Sequence, residues 1–226
     1  MNKSYAELSQ RLQYAFKAPD LLVRALTHRS KSADNYERLE FLGDSVLGFA
    51  ISAELYQRYP NLTEGELTRL RASLVKQQTL AQLARGLELG DYLVLGEGEL
   101  KSGGSDRDSI LADTLEAVLG AICRDGTVEQ ACEVIRVLYR DLLAQLDPQS
   151  IPKDPKTQLQ EYLQKHSLPT PVYEIRAAVG EPHNQKFTVT CRVAGLTDAV
   201  CGEGSSRRIA EQQAATTALA RLTGNV

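Results

Sequence analysis

Long hydrophobic runs are missing from this chain. No stretch approaches the ~18 consecutive apolar residues of a membrane-spanning helix. The opening MNKSYAELSQRLQYAF is amphipathic and polar, where a secretory leader would set a basic segment ahead of an apolar one. Cysteine is scarce: Cys123, Cys132, Cys191 and Cys201 include no CxxC pair, which argues against a zinc or redox motif and for reduced thiols in a cytoplasmic protein. Histidine is scarcer. His28, His166 and His183 are not spaced as the His-Asp pairs of helical metal phosphohydrolases, and no Ser-His-Asp or Cys-His arrangement is visible. GEGELKSGGS is glycine-rich without the G-x-x-x-x-G-K-[ST] order of a P-loop, so it reads as a loop. No internal repeat stands out, and no motif asks for an organic cofactor. Strong charge of either sign is also missing. A formal net charge of −3 on 226 residues cannot supply the positive field usual in a nucleic-acid binder, so any such affinity must come from a local basic patch.

What is present divides in two. LDPQSIPKDPKT carries Pro148, Pro152 and Pro155, a density that interrupts helices and favours extended chain. It reads as a linker at 147–155, between a first domain of residues 1–146 and a second of residues 156–226. Hydrophobic residues make up 42% of the chain, enough for a proper core. Before the linker they recur with helical spacing over 6–16, 20–26, 36–59 (stopped by Pro60), 75–85, 107–123 and 127–146. Thr63 and Glu66 have the form of a capping box opening a further helix. Almost nothing alternates with period two, which predicts an all-α domain. After the linker the period changes. A helix over 157–166 precedes two alternating runs, Tyr173-Ile175-Ala177-Val179 and Phe187-Val189-Cys191-Val193, with GEPHNQ as the turn between them. A short third strand near 198–201 leads through GEGSS into a helix over 207–222. That is a small α+β domain, α-β-β-β-α in about 70 residues, the size and order of a double-stranded RNA-binding domain. Residues 154–226 hold 8 Lys+Arg against 7 Asp+Glu, a net of +1; the rest of the chain holds 18 against 22.

The carboxylates of the first domain raise the functional question. In YERLEFLGDS, at about 100° per residue, Glu37, Glu40 and Asp44 fall within an arc of roughly 60° on a helix otherwise rich in leucine, valine and phenylalanine. In SILADTLEAVLGA, Asp113 and Glu116 share a face at i, i+3 spacing among apolar neighbours. Buried carboxylates need protonation, a cationic partner or a metal ion. Spacing alone leaves two readings open. One is a solvated or salt-bridged face with Arg38, Arg69 and Arg71 as counter-charges. The other is a site for a hard cation, Mg²⁺ or its substitute Mn²⁺, since the donors are oxygens with no suitably placed His or Cys.

ERLEFLGDSVL closely resembles the signature of the ribonuclease III family. LTHRS before it, ELKSGG after it, SILADTLEAVLGA and the C-terminal α-β-β-β-α module match that family in order and spacing over essentially the whole chain. The resemblance implies a Mg²⁺-dependent endonuclease that hydrolyses double-stranded RNA to 5′-phosphate and 3′-hydroxyl ends, acting on ribosomal RNA precursors and structured messenger RNAs. By the same matching, Glu40, Asp44, Asp113 and Glu116 take the places of the metal-binding carboxylates, Glu116 being the indispensable one. Glu37 and Glu64 match further acidic positions of the catalytic valley. Two metal ions about 4 Å apart can activate a water, offset phosphorane charge and assist the leaving 3′ oxygen. The family acts as a homodimer whose paired valleys cut both strands to leave short 3′ overhangs. The signature helix lies at its interface, with Phe41 at the place of an aromatic knob; taken by itself, Phe41 reads equally as core. A non-catalytic, dimeric RNA-binding protein on the same scaffold is the rival reading, and the intact carboxylates argue against it.

In the second domain the resemblance places Thr157, Gln160 and Glu161 against a minor groove, where 2′-hydroxyls mark RNA, and His183 in a neighbouring one. Ser206, Arg207 and Arg208, at the start of the last helix, would meet phosphates, aided by the helix dipole. Singly, His183 reads as a turn residue and the arginine pair as a solvated helix start, while Ala210, Ala214, Ala215, Ala218 and Leu219 are a packing face. Three departures remain: Asp106 and Asp108 stand where many relatives carry aromatic or basic residues, and Tyr36 occupies a place often held by Asn. His28 reads as structural.

Overall fold

A computed structural model describes residues 4–148, 154–180 and 185–224. The chain divides into two compact units between Ile151 and Pro152.

The first unit is helical. Helix α1 is Tyr5–Leu12, α2 Pro19–Ala25, α3 Glu37–Arg58, α4 Glu64–Leu74, α5 Gln77–Gly86, α6 Glu97–Lys101, α7 Asp108–Asp125, α8 Val128–Leu138 and α9 Arg140–Ala144. Local chemistry accounts for their ends. Asn35 Oδ1 accepts from the Glu37 N–H at 2.9 Å where α3 begins, and Pro60 follows its last turn. The Thr63–Glu66 capping box forms as expected, with the Thr63 N–H donating to Glu66 Oε2 at 2.8 Å, and Thr127 with Gln130 makes a second one ahead of α8. Two expected helices are shorter than their periodicity. The first stops at Leu12 because Gln13 turns left-handed (φ 52°), which swings the Tyr14 hydroxyl onto Asp125 at 2.8 Å. The run over 127–146 breaks at the buried Tyr139, whose hydroxyl donates to the Leu74 carbonyl at 3.2 Å.

Helix α7 is the central element. Over 110–122 every residue is buried except Asp113 and Glu116, which are half-buried. Helix α3 lies against it at backbone contact. A Cβ on Gly43 would sit 1.7 Å from the Glu116 carbonyl oxygen, and one on Gly120 would sit 2.0 Å from that of Leu39. An interior glycine costs a helix about 1 kcal/mol, and here the two glycines let the helices that carry the carboxylates close on each other.

The second unit packs α10 (Pro155–Lys165) and α11 (Arg207–Thr223) with an antiparallel sheet ordered β1 (Val172–Val179), β2 (Lys186–Arg192), β3 (Val200–Gly204). Helix α10 starts inside the expected linker. Pro155 occupies its first turn, where the missing N–H costs nothing, and Asp154 caps it by accepting from the Lys156 and Thr157 N–H groups. Strand β1 is less regular than its alternation: a bulge between Ile175 and Ala177 leaves Ile175 and Val179 exposed. Strand β3 extends into the glycines taken for a loop, because a Cβ at Gly202 would meet the α11 backbone at 2.2 Å. The alanine face of α11 is buried as expected at Ala210, Ala214, Ala215 and Ala218.

Candidate active site and nucleic-acid face

Helices α3 and α7 bring three carboxylates together. Glu40, Asp113 and Glu116 each offer an oxygen, and the three oxygens lie within 4.8 Å of one another. Asp44, one turn beyond Glu40, is exposed at the edge of this trio and close enough to perturb Glu40 and Glu116. Burial and the charges of Asp44, Glu40 and Asp113 push the Glu116 carboxyl up to about 8. Burial, Asp113 and Glu37 push Glu40 up to about 6. Burial also raises Asp113, opposed by the Tyr36 hydroxyl, His28 and Arg29. Arg29 offsets part of this for Glu40 and Asp113, but burial outweighs it, joined at Glu40 by the neighbouring carboxylates, so among the described residues the cluster is under-compensated. The arginines that spacing offered as partners are elsewhere: Arg71 donates to Ser52 Oγ at 3.0 Å, and among the described residues neither Arg38 nor Arg69 is ion-paired with the trio.

Glu40 and Asp113 of the trio line a valley of about 490 Å³. Glu37 lines it and pairs with Arg29 at 3.5 Å; Arg107, ion-paired with Glu99, lines it too. Glu64 is not part of that lining. It sits in the first turn of α4 and accepts from the Thr68 hydroxyl at 2.8 Å. Asp106 and Asp108 are held by Arg85, whose Nε and Nη2 reach them at 2.7 Å each, so the acidic loop is pinned next to the start of α7. Sequence reasoning noted Tyr36 only as a departure from the family and passed over the two glycines. The signal for the glycines was their cost inside strongly periodic helices; the signal for Tyr36 was its place directly before the acidic stripe.

Phe41 is not core. It is 79% exposed, and Phe49 (62%) and Tyr56 (74%) share its side of α3, all within about 80° of arc. A groove of about 880 Å³ lies beside Phe41, bordered by Leu21, Arg38, Leu42 and Arg124. Phe49 and Tyr56 were legible as a stripe with Phe41 at helical spacing, but not as exposed.

In the second unit, Gln160 and Glu161 stand exposed on α10, with Thr157 half-buried near its start. Ser206 caps α11, its hydroxyl accepting from the Ile209 N–H at 3.3 Å. Arg207 and Arg208 are both exposed, but Arg207 Nε donates to Glu211 at 2.7 Å. The buried Glu211 also receives Lys156 Nζ at 2.6 Å, and that ammonium lies 4.6 Å from the centre of the Tyr173 ring. Lys156 and Arg207 hold the Glu211 carboxyl below its ordinary range. The basic patch therefore spends part of its charge internally. The i, i+4 spacing of Arg207 and Glu211 was the readable sign. His183 lies outside the described residues.

Comparison with known proteins matches both units. Residues 18–142 fit the ribonuclease-III-like family and residues 155–222 the double-stranded RNA binding motif. The ribonuclease 3 of Vibrio cholerae is 53% identical over 223 residues, 99% of this chain and 97% of that protein. That of Actinobacillus pleuropneumoniae is 53% identical over 216 residues, 96% and 97% of the two chains. The crystal structure of the nuclease domain of ribonuclease III from Campylobacter jejuni superposes with a TM-score of 0.61 at 40% identity, covering 64% of this chain and 99% of that one. With both units matched in one chain, in the order and over nearly the full length of these relatives, the chain belongs to the ribonuclease III family.

Proposed function

We propose that this protein is a Mg²⁺-dependent endoribonuclease that cuts both strands of duplex RNA as a homodimer in the cytoplasm, leaving 5′-phosphate and 3′-hydroxyl ends with short 3′ overhangs. The observation that carries it is the convergence of Glu40, Asp113 and Glu116 within 4.8 Å, with burial raising all three carboxyls and mutual repulsion adding to it at Glu40 and Glu116. The donor set fits a hard divalent ion: three oxygens, and no His or Cys among the groups that converge. Those three residues would hold the ion, with Asp44 at the edge. Once bound, such an ion supplies charge relief to the phosphodiester and a more acidic water. The protein's own part is positional. Helices α3 and α7 hold the donors on a rigid two-helix frame, and the acidic valley repels an RNA phosphate until a cation overcompensates it, which couples metal and RNA binding. Glu37 supports the same valley from its rim, and Glu64, on the first turn of α4, is proposed as a further acidic group of the site.

Family membership and the double-stranded RNA binding motif over residues 155–222 support duplex RNA as the substrate. Thr157, Gln160, Glu161, Ser206, Arg207 and Arg208 are the proposed contacts, reading shape and backbone more than sequence. The exposed aromatic side of α3 supports the dimer, as does a crystallographic study of the Campylobacter jejuni nuclease domain that describes a region involved in dimer formation in that protein.

A long RNA duplex incubated with and without Mg²⁺, followed by sequencing of the ends, tests the proposal. Cleavage should require the metal and yield staggered ends. Glu116→Gln should still bind the duplex and fail to cut it. Cleavage by Glu116→Gln at the wild-type rate would remove Glu116 from the site, and binding without cleavage by the wild type would leave a non-catalytic RNA binder.

A further inference from the structure

We propose that Glu211 is a positioning residue for RNA binding: its buried carboxylate holds Lys156 of α10 and Arg207 of α11 together, and so sets the two RNA-facing helix starts of the second unit against each other. This rests on reading those helix starts as the duplex RNA face.

Glu211 lies one turn into α11 and is 8% exposed. A carboxylate in such a place has to be paired. Its two oxygens are shared between two helices. Oε1 accepts from Arg207 Nε at 2.7 Å, one turn back on α11, and Oε2 accepts from Lys156 Nζ at 2.6 Å, in the first turn of α10. A second link runs beside the first. Gln212 Nε2 donates to Asp154 Oδ2 at 2.6 Å, while Asp154 Oδ1 accepts from the Lys156 and Thr157 N–H groups at 3.0 and 3.4 Å. Adjacent residues of α11 therefore hold the cap and the first turn of α10.

Charge-assisted hydrogen bonds of this kind are short and directional, so they decide what the cations present outward. Arg207 is held at Nε, the nitrogen nearest its stem, and its side chain is 62% exposed. The hold falls on the inner edge of the guanidinium and leaves its tip for an outside acceptor. Lys156 is fixed twice, by Glu211 and by its place 4.6 Å from the centre of the Tyr173 ring. Two cations on one carboxylate leave one positive charge over, on side chains already ordered before a phosphate arrives. Thr157, Gln160 and Glu161 follow from the same anchored turn of α10. A domain that reads duplex shape across successive grooves needs its contact sets at a fixed separation. Buried ion pairs add little stability over an apolar filler; what this one supplies is geometry.

The variant is Glu211→Gln, which keeps the shape of the side chain and removes its charge. Binding of a long RNA duplex to the full-length protein, without divalent ions so that nothing is cut, is followed by fluorescence anisotropy between about 50 and 200 mM salt, well below the melting temperature of each protein. Removing a negative charge from an RNA face would, by its field alone, tighten binding. Positioning predicts the reverse: about a fivefold or greater rise in the dissociation constant, with a salt slope shallower by about one phosphate contact. Arg207→Ala is the reference and should lose both affinity and slope. In the Arg207→Ala background, Glu211→Gln should cost less than it does in the wild type, whereas a merely structural role would add its full effect. Glu211→Asp, which keeps the charge and draws the carboxylate back, takes its place if Glu211→Gln does not fold, and should weaken binding in the same direction. Equal losses in both backgrounds, or wild-type or tighter binding in the folded Glu211 variant while Arg207→Ala is weakened, overturn the positioning role and leave the RNA face standing. Unchanged affinity and slope in Arg207→Ala overturn the face itself.

Discussion

A carboxyl pushed up to about 8, as Glu116 is, is largely protonated at neutral pH until a cation draws it into the ionised form. The folded chain therefore binds a proton there that the unfolded chain, with its ordinary value of 4.5, has already lost. Stability from this group is present on the acid side and falls as pH rises through that window. Glu40, raised to about 6, adds to the lower part of it. Without metal, the melting temperature of the wild type relative to Glu116→Gln should decline between pH ~5 and pH ~8.5. Mg²⁺ should stabilise the wild type more at the alkaline end, because binding releases the proton. Thermal melts at fixed ionic strength read this, and a difference that rises with pH contradicts the burial of Glu116. At this scale the sequence showed which residues are acidic and that they share helix faces. It did not show that Arg38, Arg69 and Arg71 fail to neutralise them, nor that Arg85 does neutralise Asp106 and Asp108. Those pairings join residues about 20 positions apart and depend on how loops and helices meet.

At the scale of elements, periodicity located the long helices because a buried stripe must repeat every 3.6 residues whatever surrounds it. It erred where a single residue leaves the pattern for a tertiary partner: Tyr139 turning onto Leu74, or the β1 bulge exposing Ile175. Strand β3 was short-changed because its glycines read as a turn, while their real constraint is the α11 backbone against them. The α3–α7 contact gives the sharpest prediction. Gly43→Ala and Gly120→Ala would place a methyl 1.7 and 2.0 Å from a carbonyl oxygen of the facing helix, a backbone atom that cannot swing aside. Each should cost about 3 kcal/mol or more in urea unfolding, at or beyond the upper end of ordinary overpacking. Each should also weaken Mn²⁺ binding, since the trio spans that contact. Gly98→Ala, at an exposed α6 position with nothing within 4 Å, should be neutral or stabilising by up to about 1 kcal/mol. Equal effects at all three sites would mean that the helices do not pack at backbone contact.

For the whole molecule, the decisive surface is the side of α3 that faces away from α7. Phe41, Phe49 and Tyr56 leave an apolar face in water that a monomer has no reason to keep. Sedimentation should find a dimer at working concentration. Phe41→Ala should weaken it by about 2 kcal/mol, roughly 30-fold in dissociation constant, without lowering the stability of the monomer, because Phe41 is not in its core. A wild type that sediments as a clean monomer would remove the two-strand mode of cleavage. By itself the sequence determined the helical first half, the change of period after the prolines, the identity of the acidic residues and, through its motifs, the family, because these depend on residue type and short-range spacing. Tertiary structure alone decided that Glu40, Asp113 and Glu116 converge while Glu64 stays on α4. It decided equally that Phe41 faces water. The reason is physical: a local pattern states which face of a helix is special, and only the packing of one helix on another states what that face meets.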